Sequence, residues 1–165
     1  MGDSALQRVT QRLAQVLARD QQVQTTLHDL RDTFQVDRVV LYYFYRRWQG
    51  QVTAEALRHP DLSILGSTGA DDCFNGDYAQ QYLEGRMRAI ADVTQADLHP
   101  CHLAFLESIQ VTANLVAPIL AKERLWGLLV VHHCQGPRPW SKANLAQLKA
   151  ASAALSASPA LNQLP

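Results

Sequence analysis

The side chains of this 165-residue chain with evident chemical capacity are three cysteines, two arginines one residue apart and a pair of adjacent histidines. Cys73 stands in "DDCF", directly after Asp71 and Asp72. A thiol between carboxylates and an aromatic ring is an unusual packing residue, and a poor nucleophile until something lowers its pKa. The two aspartates read either as loop punctuation bonded to local amides or as charged acceptors for a ligand's N–H groups. Cys101 follows Pro100 at the start of "PCHLAFLESIQ". Proline suits the first turn of a helix, where unpaired N–H groups favour a thiolate. His102 beside it is placed to give or take a proton as a thiol adds to an acceptor. The plainer reading of that pair is an inert buried cysteine next to a hydrogen-bonded histidine. Cys73 and Cys101 are far beyond the roughly two-to-four-residue spacing of half a zinc knuckle, so no metal site is expected.

Arg86 and Arg88 alternate on an expected strand and therefore share a face, either solvated or offering guanidinium forks to carboxylates or phosphates. His132 and His133 close "LLVVHHC", where alternation sends one inward and one outward; Cys134 after them reads as structural.

Several elements must position these groups. Residues 4–34 place Leu6, Val9, Leu13, Val16, Leu17, Val23, Leu27 and Leu30 near a helical period, as one long helix or two abutting ones. Their apolar stripe suits a sheet or a second copy of the chain, which makes a homodimer through the terminal helices plausible. β-Branched and aromatic residues at 37–47 and alternation at 51–57 predict a hairpin. The stretch 59–76 is aperiodic and reads as a long excursion of the kind that binds ligands. Short helices are expected at 77–86 and 100–110, a strand at 87–93, two long strands joined at "AKER" within 111–134, and a capped, alanine-rich helix at 141–157. The order predicts an α+β fold: a central antiparallel sheet, terminal helices on one face and a ligand-sized insertion on the other.

Composition narrows the function. Basic and acidic side chains number fifteen each, so no net field favours nucleic acid or an anionic membrane. No apolar run approaches the roughly 20 residues of a membrane span, and cysteine usage fits free thiols in a reducing, cytoplasmic compartment.

Taken together, "DRVVLYYF", "DDCF", "EGRMRAIADVTQADLHPCHLAFLESIQVTANLVAPIL" and "GLLVVHHCQGPRPW" resemble the GAF domain of a cyanobacteriochrome, a phytochrome-related photoreceptor that binds a linear tetrapyrrole. The resemblance covers about residues 20–157 and suggests a helical extension at 1–20, a GAF domain at 21–157 and a tail at 158–165. Its most specific parts are the Cys-His pair and the Asp-X-Cys-Phe tetrad, marks of the subgroup with two chromophore-linking cysteines.

The resemblance implies that Cys101 bonds covalently to a bilin, phycocyanobilin or phycoviolobilin, while Cys73 adds reversibly to its central methine bridge and shifts absorption toward blue or violet. Light would switch the state through double-bond isomerisation, and the acidic neighbour Asp72 would favour release of the second thiol. Asp71 then matches the acceptor for pyrrole N–H groups, and Arg86 and Arg88 match clamps for the propionates. His102 matches the histidine packed against the tetrapyrrole, His132 the one near ring D, and Phe74 and Tyr78 supply aromatic walls. Such a domain is not an enzyme and passes its signal to an output domain of a larger protein, with no nucleic-acid partner or direct membrane contact. Three other readings use the same residues: a GAF domain binding a small metabolite non-covalently, a free methionine sulfoxide reductase of the same fold, and a dimerisation module.

Overall fold

Asp20 decides how the first thirty residues fold. Its backbone is extended (φ −78°, ψ 119°) and its carboxylate accepts the Val23 N–H at 2.9 Å. That cap starts a new helix, so the chain forms two abutting helices, α1 (Gly2–Arg19) and α2 (Gln21–Phe34). The protein is described by a computed structural model over residues 2–46, 49–68 and 76–162, and for 2, 3 and 76–79 by the backbone alone. Leu13, Leu17, Val23, Leu27, Leu30 and Phe34 are buried as the periodicity requires. Val9 departs from it and is exposed; Thr10 turns inward instead, its hydroxyl satisfied by the Leu6 carbonyl at 2.7 Å.

Five strands follow: β1 (Arg38–Arg46), β2 (Gln49–Leu57), β3 (Arg88–Ile90), β4 (Ala113–Ala121) and β5 (Arg124–His133). They form one sheet in the order β2-β1-β5-β4-β3, every neighbouring pair antiparallel. β4 and β5 turn at Lys122 and Glu123, both left-handed (φ 53° and 63°), as a two-residue hairpin requires. β1 is approached closely from both sides: a Cβ on Gly50 or Gly127 would come within 2.0 Å of a β1 carbonyl oxygen. β3 is shorter than the strand expected at 87–93. The preceding helix α3 (Gly76–Leu83) ends on Gly85 at φ 83°, with the Arg86 N–H closing back onto Gln81, so pairing begins only at Arg88.

Alternation sorts the sheet into two faces. Val39, Leu41, Tyr43, Leu115, Ala117, Leu129 and Val131 join α1, α2 and α5 (Lys142–Ser156) in the main core. Val40, Tyr42, Val52, Val116, Leu128 and Val130 form a second cluster on the opposite face. The terminal helices therefore lie on one face, as the sequence predicts. Ser141 and Asn144 cap α5 reciprocally. A short turn, Pro60–Leu62, and a last helix, α6 (Pro159–Asn162), are additions that the sequence pattern did not signal. α6 is pinned by Lys122 Nζ on the Asn162 carbonyl at 3.0 Å.

The entry to β1 is clasped by Asp37, which is 1% exposed. Its carboxylate accepts the Cys134 N–H at 2.6 Å, Gln135 Nε2 at 3.1 Å and Arg58 Nε at 2.6 Å. Removing that carboxylate leaves the half-buried Cys134 amide without its acceptor and unties the start of β1 from Arg58 and from the Cys134–Gln135 segment at once. Asp37→Ala is expected to lower unfolding free energy by about 2–3 kcal/mol, read from urea midpoints; a change below about 0.5 kcal/mol would contradict the clasp.

Candidate functional site

Helix α4 (Pro100–Ser108) owes its start to His99, whose Nδ1 accepts the Cys101 N–H at 3.1 Å, and to Pro100 in the first turn. Its residues His102, Phe105 and Leu106, with the C-capping Ile109, follow helical spacing and share one side of a cavity. The second sheet face supplies the floor, including Val40, Val116, Leu128 and Val130, and Tyr82 of α3 and Ile64 close the edges. Counted together with the solvent space at its open mouth, the cavity amounts to about 740 Å³.

Its lining is apolar except at a few points, and two of those meet at one end. His132 on β5 is 4% exposed and pairs in register with Asn114 on β4, also 4% exposed. Behind His132 lies Arg38, 1% exposed. Arg38 Nε donates to His132 Nδ1 at 3.0 Å, Nη1 to the Leu62 carbonyl at 2.6 Å and Nη2 to the Ile109 carbonyl at 2.8 Å. Arginine only donates, so His132 Nδ1 carries the lone pair and Nε2 carries the hydrogen. Burial, and then the Arg38 charge, hold the His132 pKa well below 6.5. Burial also lowers the Arg38 pKa, against the opposing effect of Cys134, Glu55 and Asp37.

His102 lines the cavity, and burial followed by the Arg88 charge lowers its pKa to about 4. It is thus a neutral hydrogen-bonding group at pH 7 rather than the proton carrier its type suggests. Arg88 also lines the cavity. Arg86, outside the short β3, is exposed and pairs with Glu84 at 3.3 Å, so the two arginines do not share a strand face. Cys101 is half-buried beside His102 and is not itself a lining residue. It is disulfide-bonded, whereas Cys134 is a free thiol whose pKa burial pushes up. The expectation of free thiols is therefore corrected at Cys101. His133 takes the other side of the strand end, its Nδ1 2.8 Å from the Gly136 carbonyl. Asp71, Asp72, Cys73 and Phe74 lie outside the described residues, as does the side chain of Tyr78. Among the described residues no three His, Cys, Asp or Glu side chains gather as metal ligands, and no helix is long and apolar enough to cross a membrane.

Sequence reasoning missed Arg38, Asn114 and Tyr82. The usable signal was a single polar residue at an inward position of an apolar strand, Arg38 in "DRVVLYYF" and Asn114 in "ANLVAPIL".

Residues 18–158 match the family model described as GAF domain. An uncharacterised protein of Picosynechococcus is 56% identical over 133 residues, 81% of this chain and 82% of that protein. A putative methyl-accepting chemotaxis protein of Synechocystis is 38% identical over 135 residues, 82% of this chain but 14% of that protein, so the similar region is a small part of a larger signalling protein. Among solved structures, the blue-light-absorbing form of the Thermosynechococcus elongatus PixJ GAF domain superposes with a TM-score of 0.74 at 28% identity, covering 96% of this chain and 92% of that one. PixJ is a cyanobacteriochrome receptor. A phycoerythrobilin-bound GAF domain from a cyanobacterial phytochrome gives a TM-score of 0.74 at 28% identity, over 98% and 95% of the two chains.

Both cavity histidines regain an ordinary pKa near 6.5 on unfolding, so below that pH the unfolded chain binds more protons than the folded one. Their contribution to stability is complete above about pH 6.5 and is lost as the pH falls toward 4. Urea midpoints should decline from pH 7 to pH 5, and His102→Gln should flatten part of that slope; an unchanged slope in the variant would contradict the assignment.

Proposed function

This chain belongs to the GAF family, and from that premise we propose that it is the bilin-binding sensory module of a cyanobacteriochrome-type photoreceptor. The observation that carries the reading is the cavity: open at its mouth, apolar, polar at one end, and walled by the helix that bears Cys101 and His102. Its likeness to GAF domains that hold tetrapyrroles supports the same choice of ligand. An apolar slot with a few fixed polar groups suits an extended conjugated molecule better than a free phosphate or sugar.

Phycocyanobilin or phycoviolobilin would supply the visible absorption and the light-driven double-bond isomerisation. The chain's own residues bind and orient. Cys101, at the first turn of α4, supplies the sulfur of the thioether, and its disulfide must be reduced before that sulfur is a nucleophile. Arg88 offers its guanidinium to a propionate from inside the cavity; Arg86 joins it by exchanging the exposed Glu84, a weak partner. His102 packs against the pigment as a neutral imidazole, and His132 presents its Nε2–H near ring D. Cys73 is the reversible second nucleophile, with Asp71 as acceptor for pyrrole N–H groups and Phe74 and Tyr78 as aromatic walls. The GAF domain is assigned to 21–157, with 1–20 and 158–165 as its flanks. The module reports to an output domain of a larger cytoplasmic signalling protein, and the terminal helices are the route to it and the surface for a homodimer.

The disulfide at Cys101 favours one other reading, redox chemistry on free methionine sulfoxide. It requires thiol-dependent turnover by the pigment-free chain, and none is expected.

Purified chain given phycocyanobilin with a thiol reductant should become coloured on a denaturing gel, and slowly or not at all without reductant. Cys101→Ala should abolish the covalent colour. Cys73→Ala should keep it while losing any blue- or violet-absorbing state. Covalent pigment in Cys101→Ala, or a blue state in Cys73→Ala, would overturn these assignments.

A further inference from the structure

Arg88, assigned above to a propionate, stands on the least supported strand of the sheet. β3 is three residues long, lies at the sheet edge and pairs with β4 alone among the described strands. So short an edge strand opens easily when left to its own pairing. A guanidinium that grips a carboxylate inside an apolar cavity has to be held where the carboxylate arrives, or the cost of ordering it is taken from the affinity.

The support comes from a segment far along the chain. Trp140 Nε1 donates to the Ile90 carbonyl at 3.1 Å, and the Arg138 N–H donates to the Ala91 carbonyl at 2.8 Å. The Val93 N–H extends the attachment onto the Thr112 carbonyl at 2.8 Å. The Trp140 ring is itself fixed: it packs against the main core, 6.5 Å from the Phe34 ring and 4.9 Å from the Arg138 guanidinium. Arg138 Nη1 in turn donates to the Phe34 carbonyl at the end of α2, and Ser141, the cap of α5, follows Trp140 directly. β3 is thus bolted at its far end to the junction of α2 and α5, while its first residue lines the cavity.

We propose that Trp140 is a positioning residue for Arg88: its indole N–H holds β3 in place, so that the Arg88 guanidinium is set in the cavity before a carboxylate-bearing ligand enters. This rests on the bilin reading, in which the carboxylate is a propionate. Trp140 does not line the cavity and acts through Arg88, so its effect on binding must vanish when either the guanidinium or the ligand's charge is removed.

The test uses that conditional loss. In a Cys101→Ala background, which forms no thioether there, phycocyanobilin and its dimethyl ester, whose propionates carry no charge, are titrated and the dissociation constants read from absorbance. Trp140→Phe, which keeps an aromatic ring in the core and removes the N–H, should weaken binding of the free acid about fivefold and change that of the ester by less than about twofold. Arg88→Ala should weaken the free acid about tenfold, and adding Trp140→Phe to it should cost less than about a further twofold. Equal weakening of acid and ester, a full Trp140→Phe effect without Arg88, or no effect on either ligand overturns the inference and leaves the bilin reading intact. Failure of the Cys101→Ala parent to bind acid or ester overturns that reading and this one with it. Linkage supplies a measurement that needs no change at position 140, should Trp140→Phe fail to fold. With saturating free acid, one of the chain's three tryptophan indole N–H groups should exchange with solvent at least about threefold more slowly than with saturating ester; equal exchange in the two complexes contradicts the coupling.

Discussion

A guanidinium sealed inside a sheet is a demanding constraint, and Arg38 imposes it here. The group stays charged at any ordinary pH and is withdrawn from water, so its N–H groups need acceptors held at the right places. The structure provides a histidine nitrogen on β5, a carbonyl from the Pro60–Leu62 turn and a carbonyl at the end of α4. None of the three is a formal anion. The charge is instead balanced at longer range by groups such as Glu55 and Asp37. The result ties the strand end, the loop and the helix that frame the cavity to one side chain, and dictates which face of His132 the cavity meets.

The rest of the fold explains how such a site stays open. One sheet face is closed by α1, α2 and α5, and the core between sheet and helices holds most of the buried apolar residues described. Among the described residues the other is covered by short elements, α3, α4 and the loop near Ile64, and a gap lies above Val40, Val116, Leu128 and Val130. A third cluster, Ile90, Val93, Leu106 and Val111, anchors α4 beside that gap without filling it. Stability and recognition thus occupy opposite faces, and the site can carry buried polar groups without weakening the main core.

Elements with strong local signals were legible in the sequence: the hairpin around β1 and β2, the long β4–β5 pair, the proline-started α4 and the serine-capped α5. Their patterns are short-range, and the structure keeps them. Asp20 was ambiguous, since an acidic residue is compatible with both a helix interior and a cap, and only the cap geometry decides. The arginine pair illustrates a different failure. Alternation assumed that Arg86 and Arg88 lie on one strand, but Gly85 adopts a left-handed turn that delays pairing to Arg88 and leaves Arg86 with Glu84. The Cys-His pair was found because both residues are chemically conspicuous. Arg38 and Asn114 were not, because their roles depend on partners 94 residues away for Arg38 and across a strand pair for Asn114. Periodicity shows that a polar residue points inward and says nothing about what meets it there.

Everything proposed for the ligand's polar end depends on the protonation of one imidazole. Nitrogen-15 NMR of the histidine side chains in the unliganded chain, with His132 assigned by its loss in His132→Gln, reads this directly. The account predicts a neutral ring with the hydrogen on Nε2 and no titration as the pH passes through 6.5. A hydrogen on Nδ1, or an imidazolium forming near pH 6.5, would contradict it.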